Sequence, residues 1–407
     1  MTLDIDFVRS QFPAFSEPSL QGQSFFDSAA GSYMCQQVID RLNRFYRERK
    51  VQPYGTFDAS RLAGEEMDEA RQRLAALMGV QTEELSFGPS TTQNVYVLAN
   101  AFRRWMNAGD AIIVTDQDHE ANTGAWRRLA DEGIEVREWK LNADTGHLDP
   151  KDLANLLDEN VRLVCFPHCS NVVGEINPVS EITAIAHAAG AFVCVDGVSY
   201  APHGLPNVDD LGADIYLFSS YKTYGPHQGL MVVRRAIGDM LPNQGHYFNE
   251  NTLYKRFTPA GPDHAQVAAS AGMADYFDAL HAHHGLAGTT PAQRMAAVHD
   301  LMRTHETRLL QPLLDYLSNK NSVRLLGPKT AVNRAPTVAV DTFKNAFDVA
   351  EKLGDHGIMA AGGDFYALRA IEAHGIDPDQ GVLRLSFVHY ASREEVDHLI
   401  ESLEKVL

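Results

Sequence analysis

Between about residues 85 and 235 the chain alternates short apolar runs with amphipathic stretches. The runs are LSF from Leu85, AIIVT from Ala111, IEVREWKL from Ile134, VRLVCF from Val161, AFVCVD from Ala191, DIYLFS from Asp214 and GLMVV from Gly229. Between several of them lie stretches of helical pattern, such as PKDLANLLDE and VSEITAIAHAAG. A helix between two strands carries the chain back across the sheet, so the strands run parallel. The expectation is an α/β fold, a mostly parallel seven-stranded sheet with helices on both faces. Ligands of such sheets bind beyond the carboxyl ends of the strands. The residues just after each run therefore bear most on function.

After about residue 265 the character changes. Helical pattern covers Ala265 to Leu280 and Pro291 to about Lys320, followed by the short strands RLLG and PTVAVDTF. A helix near Asn345 to His356 and the strand VLRLSFVHY come next. The last helix opens on the capping box Ser392-Arg393-Glu394-Glu395 and has an apolar face of Val396, Leu399, Ile400, Leu403 and Val406. This reads as a smaller α+β C-terminal domain, residues 265–407. Residues 21–264 form the large domain, and 1–20 are a segment expected to pack with the small domain.

The 407 residues are 44% hydrophobic, enough for two cores. With 35 basic against 53 acidic side chains the net charge is -18, which opposes binding to nucleic acid or an anionic membrane. No apolar run approaches the length of a membrane helix. The opening MTLDIDFVRSQFPAF has early acids and no apolar signal core, so a cytoplasmic location is expected. Cys165 and Cys194 sit inside apolar runs and read as core residues. CFPHC, with His168 between Cys165 and Cys169, lacks a second paired half, and HAHHG at His281 lacks acidic or cysteine company. No metal site is expected from either.

Five strand ends carry polar groups. After LSF, Ser90-Thr91-Thr92 opens a helix, a site where free N–H groups and hydroxyls hold an anion. After AIIVT come Asp118, His119, Glu120 and Asn122. VRLVCF leads to Asn171, and AFVCV to Asp196, Ser199 and His203. DIYLF leads to Ser219, Tyr221 and Lys222. A lysine or aspartate closing a buried strand needs a partner for its charge. An anion cradle, an imidazole, an amide, a carboxylate and an amine together match one cofactor, pyridoxal 5'-phosphate. Lysine forms a Schiff base with its aldehyde, and an acid pairs with its ring nitrogen.

From FFDSAAGSY at Phe25 to the C-terminus the chain resembles the class V aminotransferases, fold type I pyridoxal-phosphate enzymes, close to the cysteine desulfurases. FFDSAAG is similar to that family's substrate loop, which implies substrate contacts at Ala29 and Ala30. STTQNVYVLAN resembles the phosphate-binding helix start, implying Thr91 and Thr92. DHEAN implies His119 stacked on the cofactor ring, and HCSNVVGEINP implies Asn171 beside the phenolic oxygen and the substrate. VDGVSYAPH supplies Asp196 for the ring nitrogen, with Ser199 near the cofactor oxygen. SSYKTYGPHQG supplies Lys222 for the Schiff base, with Ser219 towards the phosphate and Tyr221 against the cofactor. Arg384 in VLRLSF matches the arginine that grips the substrate carboxylate. The resemblance also implies a homodimer with its active site at the interface, the partner reaching in near Arg256, Asp263 and His264.

The departures bear on the reaction. Cysteine desulfurases carry a catalytic cysteine on a mobile small-domain loop. The matching stretch, GIMAAGGDFYALRA, has none, and Tyr366 falls at about that position. No cysteine occurs after Cys194. Tyr221 stands where desulfurases have histidine and Ser199 where they have glutamine; Thr258 or Gly261 is nearest to their cross-subunit threonine. These features, with GTFDASRL, resemble a desulfurase-like branch. The expected function is a lyase acting on an α-amino acid by β-elimination or C–S cleavage, with Lys222 as base, His119 limiting ring tilt, and Tyr366, Tyr221 or His203 as proton donor. The alternatives are an aminotransferase, a racemase or epimerase, and a non-catalytic pyridoxal-phosphate-fold protein.

Overall fold

The computed structural model of the chain describes residues 2–407. Each of the seven apolar runs forms a strand of one sheet: β1 (Leu85–Gly88), β2 (Ala111–Thr115), β3 (Glu135–Trp139), β4 (Val161–Pro167), β5 (Phe192–Asp196), β6 (Ile215–Ser219) and β7 (Gly229–Val233). The spatial order is β1-β7-β6-β5-β4-β2-β3, and only β7 runs against its neighbours. The reason for that exception is the connection. The other successive strands are separated by helices, whereas β6 and β7 are joined by a tight loop closed by Ser220 N–H donating to the Gln228 carbonyl at 3.0 Å. A short loop pairs strands antiparallel. Lys222 lies in that loop.

Side chains alternate across the sheet. Ile112, Val114, Leu163, Cys165, Cys194, Ile215 and Leu217 enter one core with Leu98, Phe102 and Trp126. Ile113, Val164, Phe166, Val193, Val195, Tyr216 and Phe218 enter a second core on the other face. Burial on both sides is why the runs are continuously apolar. Cys165 and Cys194 are free, buried and opposite one another in register.

The C-terminal part builds a four-stranded sheet from β8 (Arg324–Leu325), β9 (Thr337–Asp341), β10 (Ala361–Gly363) and β11 (Val382–Ser386), in the order β10-β11-β9-β8. The helices Pro291–Ser318 and Arg393–Val406 cover it, the second started by the capping box of Ser392 and Glu395. The helical region from Ala265 is two helices, His264–Ala269 and Ala271–His283. At the joint the Ser270 hydroxyl donates to the Gln266 carbonyl at 3.0 Å, a back-bond that bends helices. The N-terminal segment touches both parts. Phe12 packs edge-on against Tyr224 and Tyr276 and also against Tyr390, and Arg9 pairs with Glu395. No helix among the described residues is long and apolar enough to cross a membrane.

Two contacts set the depth of the cleft above the sheet. A Cβ on Gly229 would lie 2.4 Å from the backbone carbon of Ser90 and the nitrogen of Thr91, so glycine lets the helix Thr91–Trp105 start directly against β7. Tyr224 pins the Lys222 loop from below. It is fully buried at φ 65, and its hydroxyl meets the Pro202 carbonyl and His389 Nδ1. Gly229→Ala is expected to lower stability by about 1–3 kcal/mol, the usual cost of overpacking. Urea titration tests this: the midpoint should fall with the m-value unchanged, and an unaltered midpoint would show that the helix start yields freely.

Candidate active site

A cleft of about 180 Å³ opens at the carboxyl ends of the strands. Its lining includes Thr91, Thr92, His119, Asn171, Asp196, Ser199, Ser219, Tyr221 and Lys222. Residues spread over 132 positions, from Thr91 to Lys222 (222 minus 91, counted inclusively), thus meet in one cavity. Arg384 adjoins it, donating through Nη1 to the Asn171 carbonyl at 3.3 Å. Ala29 lines a small adjoining cavity together with Lys222, Ser199 and His203. Ala30 is exposed and lines neither, and its N–H closes a turn onto the Asp27 carbonyl at 3.0 Å. Tyr366 stands outside at the mouth, 70% exposed, with its ring 5.4 Å from that of His119.

One end of the cleft is an anion cradle. The Thr91 and Ser219 hydroxyls are 2.8 Å apart, and Ser90 caps the helix by accepting from Gln93 N–H at 3.2 Å. The unpaired N–H groups and the helix dipole favour negative charge there.

The floor holds the titratable groups. Asp196 accepts from Val198 N–H at 2.8 Å, and burial pushes its carboxyl up to about 6, against the nearby Lys222 charge. Behind it Asp118 accepts from Thr115 and Asn122 at 2.6 and 2.9 Å, and burial pushes it up to about 8. His119 caps the helix Glu120–Arg127, its Nδ1 accepting from Ala121 N–H at 2.9 Å. The ring proton of the neutral imidazole therefore sits on Nε2. Burial, with the Lys222 and Arg384 charges, holds His119 down to about 3, so it is neutral at ordinary pH.

Lys222 is buried, and burial together with the Arg384 charge pushes its amine down to about 8. Among the described residues no carboxylate lies within ion-pair distance of it, and the Tyr221 ring lies 5.8 Å from Nζ. Asn171 donates through Nδ2 to the Phe365 carbonyl at 3.0 Å, while its Oδ1 is buried with no partner. A buried acceptor left unmet calls for a partner, such as water or a ligand.

The structure also brings in residues that the sequence did not single out for the site. Cys169 lines the cleft, and burial pushes its thiol up to about 12. His227 stacks on Tyr221 at 4.7 Å. Asp27 pairs with Arg384 at 3.0 Å, and the Phe365 ring lies 3.8 Å from the guanidinium carbon. Cys169 and Asp27 stand inside motifs already quoted, but their direction depends on the fold. Phe365 also stands inside a quoted stretch, GIMAAGGDFYALRA, but its place over Arg384 follows from the loop conformation. His203 is buried with Nδ1 donating to Glu306 at 2.9 Å. Arg256 and Asp263 serve their own segment, the first binding the Glu250 and Leu241 carbonyls and the second capping the helix at His264.

The family model for class-V aminotransferases matches residues 24–399. The chain belongs to the class-V aminotransferase family. Two relatives match this class-V member along its whole length. An aminotransferase-like protein, FGM3, of Gibberella zeae is 32% identical over 421 residues, covering 100% of this chain and 99% of the relative. A cysteine desulfurase of Serratia proteamaculans is 31% identical over 425 residues, with the same coverage. Among solved structures, a cysteine desulfurase from Thermococcus onnurineus superposes with a TM-score of 0.86 at 24% identity, covering 100% of this chain and 98% of that one. The Escherichia coli cysteine desulfurase CsdA gives 0.81 at 23% identity, covering 100% and 99%. The fold is therefore that of the fold type I enzymes.

The depressed Lys222 amine makes stability depend on pH. Unfolded, the amine titrates near its ordinary 10.5; folded and buried, it titrates near 8. Between those values the unfolded chain binds more protons, so this group makes stability rise with pH across that window. Below it the penalty is fully present. In protein stripped of small molecules, Lys222→Met should raise stability at pH 7 by on the order of 3 kcal/mol. That gain should vanish by pH 10.5. Urea unfolding at both pH values measures it; equal stability of the two proteins at pH 7 would contradict the burial argument.

Proposed function

We propose that this class-V member is a pyridoxal 5'-phosphate-dependent lyase that eliminates a β-substituent from an α-amino acid, of C–S cleavage type, without a persulfide-forming cysteine. The observation that carries the reading is the buried amine of Lys222, lacking a carboxylate within ion-pair distance, in the same cleft as the Thr91–Ser219 cradle and Asp196. The residues fit the cofactor. Thr91, Thr92, Ser219 and the helix start suit the phosphate, and Asp196 the ring nitrogen. His119 suits the ring face. Asn171, with its unmet Oδ1, and Ser199 suit the phenolic oxygen. Lys222 attaches through its amine. When bound, the cofactor supplies a sink for electrons released at the α-carbon.

The protein's own groups do the rest. Arg384 binds the substrate carboxylate by charge-assisted hydrogen bonds. Lys222, with its amine lowered to about 8, has a neutral fraction near pH 7 and can take the α-proton. His119 is neutral, so it packs against the ring without adding positive charge. Asp196, raised to about 6 by burial, returns to the carboxylate when a cation stands beside it. Tyr221 lines the cleft, and burial keeps its hydroxyl protonated, so it can donate to a leaving group. Tyr366 sits at the rim and His203 has Nδ1 committed to Glu306, so Tyr221 takes this role ahead of them.

The absence of persulfide chemistry rests on the thiols. Cys169 lines the cleft but stays protonated, with its sulfur on the Gly174 carbonyl at 3.4 Å. Only a thiolate attacks sulfur. The aminotransferase reading is the second one, favoured by the family and by the name of the FGM3 relative. It needs no leaving group but requires a keto-acid acceptor.

A panel of amino acids separates the two. A lyase releases keto acid and ammonia, with sulfide from a thiol substrate, in the absence of any acceptor. An aminotransferase is silent until a keto acid is added. Purified protein should be yellow, and Lys222→Ala should lose at least about a thousandfold in turnover, since the base and the attachment point vanish together. A colourless protein, or full turnover in that variant, would remove the reading. We further propose a homodimer that covers the exposed Tyr247 and Phe248, 84% and 69% accessible in the single chain. Light scattering should give twice the chain mass; an active monomer would contradict it.

A further inference from the structure

Arg384 is the most heavily engaged side chain of the site. It lies on β11, pairs through Nη2 with Asp27 at 3.0 Å and donates through Nη1 to the Asn171 carbonyl. The Phe365 ring covers its face at 3.8 Å. Only Nε lacks a partner, and it is sealed from solvent.

A carboxylate binds arginine best in the plane of the guanidinium, through two parallel N–H groups. The stacked Phe365 leaves that plane as the way in. Nη2 belongs to each edge of the fork that can offer two such groups, and Nη2 already faces Asp27. A second carboxylate on the same nitrogen would stand against the Asp27 charge. Two anions cannot share one buried cation without a large penalty.

The surroundings hold the arginine and leave the aspartate free to turn. The Asp27 backbone is fixed by its bridge to Ser386 and by the turn to Ala30. Its side chain remains 24% exposed against 3% for Arg384, so the carboxylate is the partner of the pair that reaches water. Arg384 has no such freedom. Phe365 sits above it at φ 54, beside Tyr366 at φ 56, in the left-handed region that aromatic residues rarely adopt. That conformation is locked by Asn171 Nδ2 on the Phe365 carbonyl, Glu120 N–H on the Tyr366 carbonyl at 2.7 Å, and the Arg369–Glu120 pair.

We propose that Asp27 is an internal occupant of the carboxylate site, and that a substrate carboxylate binds Arg384 by displacing it. Asp27 thereby sets how tightly this site takes a carboxylate. The inference rests on the reading of Arg384 given above. Removing the charge of Asp27 lifts the competition, so binding strengthens; damage to the site would weaken it.

The test is a thermal-unfolding titration of the holoenzyme with sodium propionate at constant ionic strength, with sodium chloride as the control. Wild type, Asp27→Asn, Asp27→Ser and Arg384→Ala are compared. Propionate has no amine, so the readout is independent of turnover. The expected result is an apparent Kd about tenfold lower in both Asp27 variants, and loss of the propionate-specific shift in Arg384→Ala. Equal or weaker binding in both Asp27 variants, with loss in Arg384→Ala, would overturn the displacement and leave the carboxylate role of Arg384 standing. If Asp27→Ser fails to fold, the isosteric Asp27→Asn decides alone. An unchanged shift in Arg384→Ala would overturn both.

Discussion

The site depends on an amine kept out of water at the end of a central strand. Lys222 can occupy that place only because the loop beneath it is anchored, by Tyr224 in the second core and by the Ser220–Gln228 closure. Burial strips the amine of hydration and lowers its proton affinity. The same burial raises Asp196 and Asp118 and depresses His119. One cause, loss of solvent at the carboxyl edge of the sheet, therefore shifts four groups in the direction that makes each of them neutral.

Lys222 and Asp196 lie near enough to feel one another, yet among the described residues no carboxylate lies within ion-pair distance of Lys222. The charges of the floor are available to whatever binds there. Arg384 differs, because a guanidinium does not shed its proton and must be paired. Asp27 and the Asn171 carbonyl meet that need, and the contact ties the N-terminal loop to the small sheet. The Arg384 end and the Thr91–Ser219 end of the cleft are thus built on opposite principles. The first is internally paired; the second is an open cradle of hydroxyls and helix N–H groups.

Much of this was legible in the chain. The inner runs became strands because a doubly covered sheet favours continuous apolar residues, while the edge strand β3, EVREW, is only partly covered. The groups that follow those runs, Thr91, His119, Asn171, Asp196 and Lys222, line one cavity because parallel strands end at one edge. Legibility failed where placement depends on side-chain direction or on a loop. The stretch CFPHC does not show that the fold sends the neighbours His168 and Cys169 in different directions. His168 stacks on Tyr200 at 3.6 Å, while Cys169 lines the cleft. The helix from Ala265 was read as continuous, since its apolar pattern does not reveal the back-bond of Ser270.

The sequence by itself determined the layered α/β fold, the family and the lack of any cysteine in the loop that carries Tyr366. Those rest on local periodicity and on residue identity, which a chain displays without folding. Tertiary structure alone decided that β7 runs antiparallel, that Ala30 turns away while Ala29 adjoins Lys222, and that Arg384 meets Asp27 and Phe365. Arg384 lies 357 positions from Asp27, so nothing short of the folded chain could have paired them. The physical reason is that such contacts are chosen by the burial of a cation, which must find an anion wherever the fold supplies one.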